Sequence, residues 1–296
     1  MELRKKTSQV KLRGFLFLLI FFLCACAFSQ PRQESAVIFP SIENVRPQWQ
    51  PFADGVGYFH GKISQPQIEF WALMIDLQSP NTRIVTSAGN SFFDSPLSMR
   101  VSSFVRDNNL IAGINAVPFD IASSLENQPI KNMGLVVSDG RLLSGVNRSY
   151  DAIIFYKNGT AAICRQTEAG PIETIENAVG GFHQILADGN PAQRTQSLTE
   201  RHPRSAAGLS ANTRYLYLLV IDGRRSDSAG ATEKETSLIL ANLGSWSGIN
   251  FDGGGSTALA LRYPDGGVRT ANLPVHNGIP GRERAVAGCL GIAVIR

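Results

Sequence analysis

Asn250-Phe251-Asp252-Gly253-Gly254-Gly255-Ser256-Thr257 places an acid, three consecutive glycines and two hydroxyls in one short stretch. Glycine is costly to order, so three in a row mark a backbone that turns sharply or lets something approach closely. Such a turn can aim several N–H groups at one point and form a nest for an anion. A carboxylate at its mouth, Asp252, suits a site that holds phosphate or meets developing negative charge. Taken alone, the same residues also make a tight turn between strands, with Asp252 in an Asx-turn.

Four other clusters carry comparable chemistry. Gly113-Ile114-Asn115-Ala116-Val117-Pro118-Phe119-Asp120 runs an apolar strand into Asn115, which both donates and accepts. As a plain loop, Asn115 would cap it and Asp120 would solvate a turn. Arg201-His202-Pro203-Arg204-Ser205 spaces two guanidinium forks around a rigid proline, a match to phosphate or carboxylate unless the loop is simply solvated. Asp222-Gly223-Arg224 ends a very apolar run, although Asp-Gly is also an ordinary turn signal. Thr232-Glu233-Lys234-Glu235 has the spacing of a capping box, so Glu235 reads first as a helix cap and second as a catalytic acid. Asp120, Asp222 and Asp252 could also be oxygen ligands of a metal. His60, His183, His202 and His276 are scattered and no ligand spacing is evident, so neither a metal nor another cofactor is expected.

These clusters fall at the ends of strands. Apolar and alternating runs predict strands at Phe70 to Leu77, Thr82 to Ser87, Ile111 to Ala116, Ile249 to Phe251, Ala258 to Tyr263 and Ala285 to Ile295. Three hairpins are expected, turning at Asp139-Gly140, Lys157-Asn158-Gly159 and Ala211-Asn212-Thr213. Helices are expected over Ser98 to Asn108 and over Thr232 to Leu243, the second stopped by Gly244. The pattern is α+β: one domain with a mixed, largely antiparallel sheet and a few helices. Regular β-α-β alternation is missing, which argues against a TIM barrel or a doubly wound sheet. No Gly-x-Gly-x-x-Gly follows a strand and no Gly-Lys-Ser/Thr loop occurs.

The first 25 residues read as a signal peptide. Arg4, Lys5, Lys6, Lys11 and Arg13 precede the apolar run Gly14 to Phe28, too short for a comfortable membrane span. Ala25-Cys26-Ala27 resembles an ordinary cleavage site. Leu23-Cys24-Ala25-Cys26 resembles a bacterial lipobox with Cys26 as the lipidated residue, and this is the reading preferred. Residues 26–40 would then be a tether and residues 41–296 the folded domain. Past residue 25 the two signs of charge balance at 23 each. There is thus no case for a nucleic-acid partner, and membrane contact is expected only through a lipid anchor. Cys164 and Cys289 are either bonded, which export permits, or two buried thiols.

The succession Gly-x-Asn, Arg-x-Pro-Arg-Ser, Asp-Gly-Arg, Thr-x-x-Glu and Asp-Gly-Gly-Gly-Ser-Thr resembles the phosphodiester glycosidase family. The resemblance runs from about Phe70 to Arg296 and includes the ending Gly281-Arg282-Glu283-Arg284-Ala285-Val286. It implies an exported hydrolase that removes a sugar from a glycosyl-1-phosphodiester, with an N-acetylglucosamine-1-phosphodiester-like substrate from an envelope or exopolysaccharide glycan. It also implies site residues. Asp252, then Asp222 and Glu235, would act as carboxylates, while Asn115, Arg201, Arg204, Ser205, Arg224, Gly253, Gly254, Gly255, Ser256 and Thr257 would hold substrate or phosphate. Ala116-Val117-Pro118 departs from the small residues that usually follow the Asn. A non-catalytic envelope lipoprotein that binds glycans or sugar phosphates is the alternative.

Overall fold

The near-continuous apolar runs Ile68–Asp76 and Tyr215–Ile221 are buried almost throughout, so they take the middle of a sheet covered on both faces. That sheet has nine strands in a computed structural model that describes residues 35–87, 96–120 and 125–295. Its path runs Val37–Phe39, Val56–Ile63, Ile68–Asp76, Tyr215–Ile221, Arg204–Leu209, Ser247–Asn250, His183–Ala187 and Asn190–Pro191, with Gln50–Ala53 paired on Val56–Ile63. A five-stranded sheet follows the order Ala161–Arg165, Asp151–Tyr156, Ile175–Gly180, Val136–Ser138, Arg141–Ser144. A second follows Val268–Thr270, Leu259–Arg262, Ala112–Asn115, Cys289–Val294, Thr82–Thr86. Val275–His276 and Ile279–Pro280 form a two-stranded ribbon. Among the described residues every strand pair is antiparallel except Val37–Phe39 on Val56–Ile63.

The single sheet expected from the sequence is therefore corrected to several. Periodicity identifies strands, but alternation alone does not say which strand pairs with which. Apolar side chains of all three larger sheets meet in one core that includes Trp71, Leu218, Ile249, Phe251, Ile114, Leu290, Ile153 and Val179. Strand Val37–Phe39 starts the sheet inside the stretch assigned to the tether. Residues 1–25, expected to be a signal peptide, and Cys26 lie outside the described residues. Among the described residues no helix is long and apolar enough to cross a membrane.

The three expected hairpins form at the expected turns. Asp139 and Gly140 both have positive φ, 48° and 74°, the type I′ geometry that their residue types favour. Helix Glu233–Leu243 has Thr232 as N-cap, a complete capping box with Glu235, and Gly244 in the left-handed region at φ 117°. The first helix is shorter than expected, Val101–Asp107. Leu97 and Met99 are drawn into bridges with Pro129 and Val286, and the Ser98 amide bonds the Gln128 carbonyl, so the backbone turns helical only after Arg100. Cys164 and Cys289 are free thiols.

Candidate active site

Strands Ala112–Asn115, Tyr215–Ile221 and Ser247–Asn250 end, and strand Arg204–Leu209 begins, at one place. Antiparallel register makes this unavoidable for the last three: Arg204 pairs with Ile221, and Ala206 with Asn250. Asn115 comes from a different sheet, and its buried side chain joins the two. The Ser205 hydroxyl donates to Asn115 Oδ1 at 2.6 Å, and the Ala258 amide donates to the same oxygen at 3.1 Å. Asn115 Nδ2 donates to the Asp252 carbonyl at 2.5 Å. Asn115 and Ser205 thus act on the glycine loop from beneath, each occupied by the frame.

The loop spends most of its amides internally. Asp252 N–H bonds the Ala116 carbonyl, Gly254 N–H the Pro203 carbonyl, and the Ser256 and Thr257 amides close a 3-10 turn onto Gly253 and Gly254. The Gly253 amide serves the Asp252 carboxylate. The glycines instead provide close approach. A Cβ on Gly253 would stand 2.7 Å from the Pro203 carbonyl oxygen. On Gly254, which has φ 61°, it would stand 2.9 Å from Arg224 Nη2, and on Gly255 2.6 Å from Arg284 Nη2. Two guanidinium groups therefore lie across consecutive glycines.

Those two arginines differ in character. Arg284 is half-buried and held: its Nε donates to His276 Nδ1 at 3.1 Å and its Nη1 to the Ser256 hydroxyl at 3.2 Å. The first bond makes Nδ1 an acceptor, so His276 is the neutral tautomer with its proton on Nε2. Burial and the charges of Arg284, Arg282 and Arg224 lower the His276 pKa. Arg224 is exposed, sits at φ 60° in the left-handed region, and has no hydrogen-bond or ion-pair partner among the described residues. A non-glycine residue in that region costs roughly 1–2 kcal/mol, which local contacts here do not explain.

Asp252 is the carboxylate that acts on Arg284. Burial raises its pKa to about 6, while the Ser256 hydroxyl, Arg284 and the Gly253 amide pull it back. Asp222 lies deeper and is fully buried. It accepts from Asn272 Nδ2 at 2.9 Å, from the Leu273 amide at 3.0 Å and from Arg225. Burial nonetheless raises its pKa to about 6. Asn272 Nδ2 also donates to the Thr257 carbonyl at 3.1 Å, so Asp222 supports the far end of the glycine loop. Arg225 continues from Asp222 to Glu69 and Asp227.

Arg201, Arg204 and Glu235 gather on another side, around the start of helix Glu233–Leu243. Arg201 pairs with Glu235 and donates to the Gly230 carbonyl at 3.2 Å. The other Glu235 oxygen accepts from the Thr232 amide at 2.9 Å. Arg204 donates to the Ala231 carbonyl at 3.0 Å and faces Glu233 at 3.7 Å. Arg201 and Glu235 line a cleft of about 470 Å³ with Thr199, Leu198, Lys234 and Leu238, separate from Asp252. Asp120 is exposed in a turn, bonding the Lys131 amide. Among the described residues no group of three or more His, Cys, Asp or Glu side chains gathers as for a metal ion.

A model of the family described as "Phosphodiester glycosidase" matches residues 108–293, a span that contains every residue of this constellation from Asn115 to Arg284. The chain belongs to the phosphodiester glycosidase family. Solved structures share its fold. A hypothetical protein from Synechocystis superposes with TM-score 0.65 at 16% identity, covering 85% of this chain, which spans 64% of that protein. The zebrafish N-acetylglucosamine-1-phosphodiester alpha-N-acetylglucosaminidase catalytic domain, auto-inhibited by its pro-peptide, gives TM-score 0.62 at 17% identity over 85% of this chain and 89% of that domain. A putative exported protein from Burkholderia pseudomallei gives 0.53 at 15% identity over 76% and 74%. No curated protein has a significantly similar sequence.

Within this phosphodiester glycosidase family member, Asp252, the three glycines, Ser256 and Arg224 gather at the glycine loop, with Ser256 and Gly255 buried. Asn115, Ser205, Thr257 and Asp222 frame it, and Arg201, Arg204 and Glu235 stand apart on the helix side. His276, Arg284 and Asn272 belong to the constellation but were not among the residues singled out. Arg284 stood in the motif ending Gly281 to Val286, whereas His276 had no local signal and is explained only by its bond to Arg284.

Proposed function

We propose that the protein is an exported phosphodiester glycosidase that releases a sugar from a glycosyl-1-phosphodiester, such as an N-acetylglucosamine-1-phosphodiester of an envelope or exopolysaccharide glycan. The observation that carries this reading is the guanidinium of Arg224, without a hydrogen-bond or ion-pair partner among the described residues, laid over Gly254 and near Arg284, which itself interacts with Asp252. Guanidinium forks match the paired oxygens of a phosphate. Arg284 is fixed by His276 and Ser256, and Arg224 is free to close on the anion. Ionised Asp252 takes a proton from the water that attacks the anomeric carbon. The bond from that carbon to the phosphate oxygen breaks, and the phosphate leaves as an anion on the two arginines. Phosphate is a fair leaving group, so little acid assistance is required. In this reading the protein works outside the cytoplasm, periplasmic or lipid-anchored through Cys26, as supported by the basic and apolar leader of the sequence.

The test is release of N-acetylglucosamine from an N-acetylglucosamine-1-phosphodiester by the purified protein, with Asp252→Asn beside it. General-base loss should cost about 10²- to 10⁴-fold in turnover. Wild-type kcat/KM should rise through pH of about 6, where Asp252 ionises, and the variant should lack that limb. Full turnover in Asp252→Asn would remove the assigned role. Binding without cleavage by the wild type would favour the glycan-binding alternative.

A further inference from the structure

Tyr150, Phe182 and His183 form an aromatic cluster that the phosphate chemistry leaves unused. Tyr150 meets Phe182 edge-on, with ring centroids 5.3 Å apart, and meets His183 at 6.0 Å. Phe182 and His183 lie 6.2 Å apart. All three residues are partly buried, each keeping some exposed surface, and the Tyr150 hydroxyl has no partner among the described residues. A cluster built only for packing would bury these rings, because large aromatics contribute most when they are removed from water.

The cluster sits at the end of the nine-stranded sheet that carries Asp252. His183 is the register partner of Asn250, two residues before Asp252. The Phe182 amide bonds the Asn250 carbonyl at 2.8 Å. Gly181 makes this approach feasible, since a Cβ there would stand 2.7 Å from that carbonyl oxygen and 2.9 Å from Ile249. Neighbouring strands are about 4.8 Å apart and two residues of chain span at most about 7 Å, so the cluster begins within about 12 Å of Asp252. That is the reach of one or two sugar rings. Burial, with Arg194 adding to it, lowers the His183 pKa to about 4, so the imidazole is neutral and can both donate and accept.

We propose that Tyr150, Phe182 and His183 form a saccharide subsite in which aromatic faces receive the C–H face of a pyranose ring, while the phenol and imidazole hydrogen-bond its hydroxyls. The negative face of an aromatic ring complements C–H groups that carry partial positive charge. The subsite rests on the glycosidase reading for its connection to turnover, but not for its ligand class. It would make the enzyme select a phosphodiester embedded in a glycan over one attached to a simple alcohol.

Two measurements separate failure of the subsite from failure of the glycosidase reading. The first is saturation-transfer NMR from the aromatic protons of the protein to N-acetylglucosamine and to an N-acetylglucosamine disaccharide, using wild type, Phe182→Leu and Tyr150→Ala. Transfer to the ring protons of the probe should occur in wild type and fall sharply in both variants. Phe182→Leu removes the aromatic face while keeping most of the side-chain bulk, so it reads the ring even if Tyr150→Ala does not fold. The second is steady-state kinetics on a glycosyl phosphodiester. Both variants should raise KM about ten-fold while kcat changes by less than about three-fold. Absence of transfer in the folded wild type overturns the subsite whether or not the protein has activity. Unchanged KM and transfer in both variants overturns it even if the enzyme is active. Transfer that depends on the aromatics, with no turnover on any phosphodiester, would support the subsite and count against the glycosidase reading alone.

Discussion

Arg224 is held in a backbone conformation that disfavours it and, among the described residues, makes no bond that compensates for the strain. Its replacement by glycine should therefore separate function from stability. Arg224→Gly relieves the positive φ, worth about 1 kcal/mol, and this is partly offset by the greater freedom of glycine in the unfolded chain. We expect unfolding stability equal to or slightly above wild type by urea titration, with KM for a phosphodiester raised at least about ten-fold through loss of a charge-assisted contact. A clear loss of stability with unchanged KM would make Arg224 a structural residue. Residue types at this site were readable from the sequence, because an acid, a glycine run and two arginine motifs stand out locally. Their partners were not. The Arg284–His276 bond joins a short ribbon to the motif ending, and nothing in a lone histidine announces an acceptor for a guanidinium.

At the scale of the element, the glycine loop and the helix start illustrate two outcomes. The capping box at Thr232 and Glu235 was legible because its spacing is local, and the structure contains it. Thr232→Ala should destabilise by about 1 kcal/mol in urea denaturation. It should leave turnover within about three-fold if Glu235 serves the cap and Arg201 rather than the reaction. Abolished turnover in a normally stable Glu235→Gln would instead place Glu235 in the chemistry. The glycine run was legible as a place of close approach, but not what approaches. It suggested a nest of free amides, yet those of Asp252, Gly254, Ser256 and Thr257 are bound to backbone carbonyls, and guanidinium groups fill the space. Gly255→Ala tests this directly. Its Cβ would stand 2.6 Å from Arg284 Nη2 and 3.0 Å from His276 Nδ1. The side chain must move, so kcat/KM should fall about ten-fold or more. Stability should drop by about 1–3 kcal/mol, because the obstructing guanidinium is held by His276 and Ser256 and must give up those bonds to move.

Across the whole molecule, the assembly of sheets was the least legible feature. Strand existence follows from apolar runs, but Asn115 reaches Ser205 across two sheets over 90 residues of sequence, and no periodicity encodes that bond. The same assembly buries carboxylates with opposite electrostatic consequences. Burial acts to raise the Glu69 pKa, but hydrogen bonds from His60 and Lys62 bring it down to about 2. Glu69 therefore contributes stability above its unfolded value of 4.5, and this is lost as pH falls towards about 2. Asp252 behaves in the opposite sense. Its folded pKa of about 6 lies above the ordinary aspartate value of 3.8, so the folded state binds the proton more tightly. Stability from Asp252 is thus full below about pH 4 and is lost as pH rises through about 6, a cost of about 2–3 kcal/mol on complete ionisation. Urea denaturation of wild type and Asp252→Asn at pH 4, 5, 6 and 7 would read this term, since other carboxylates are common to both proteins. The stability of the variant relative to wild type should grow by about 2–3 kcal/mol from pH 4 to pH 7. Parallel curves would mean that Asp252 ionises as an ordinary surface acid, and the pH limb expected for turnover would then lose its physical basis.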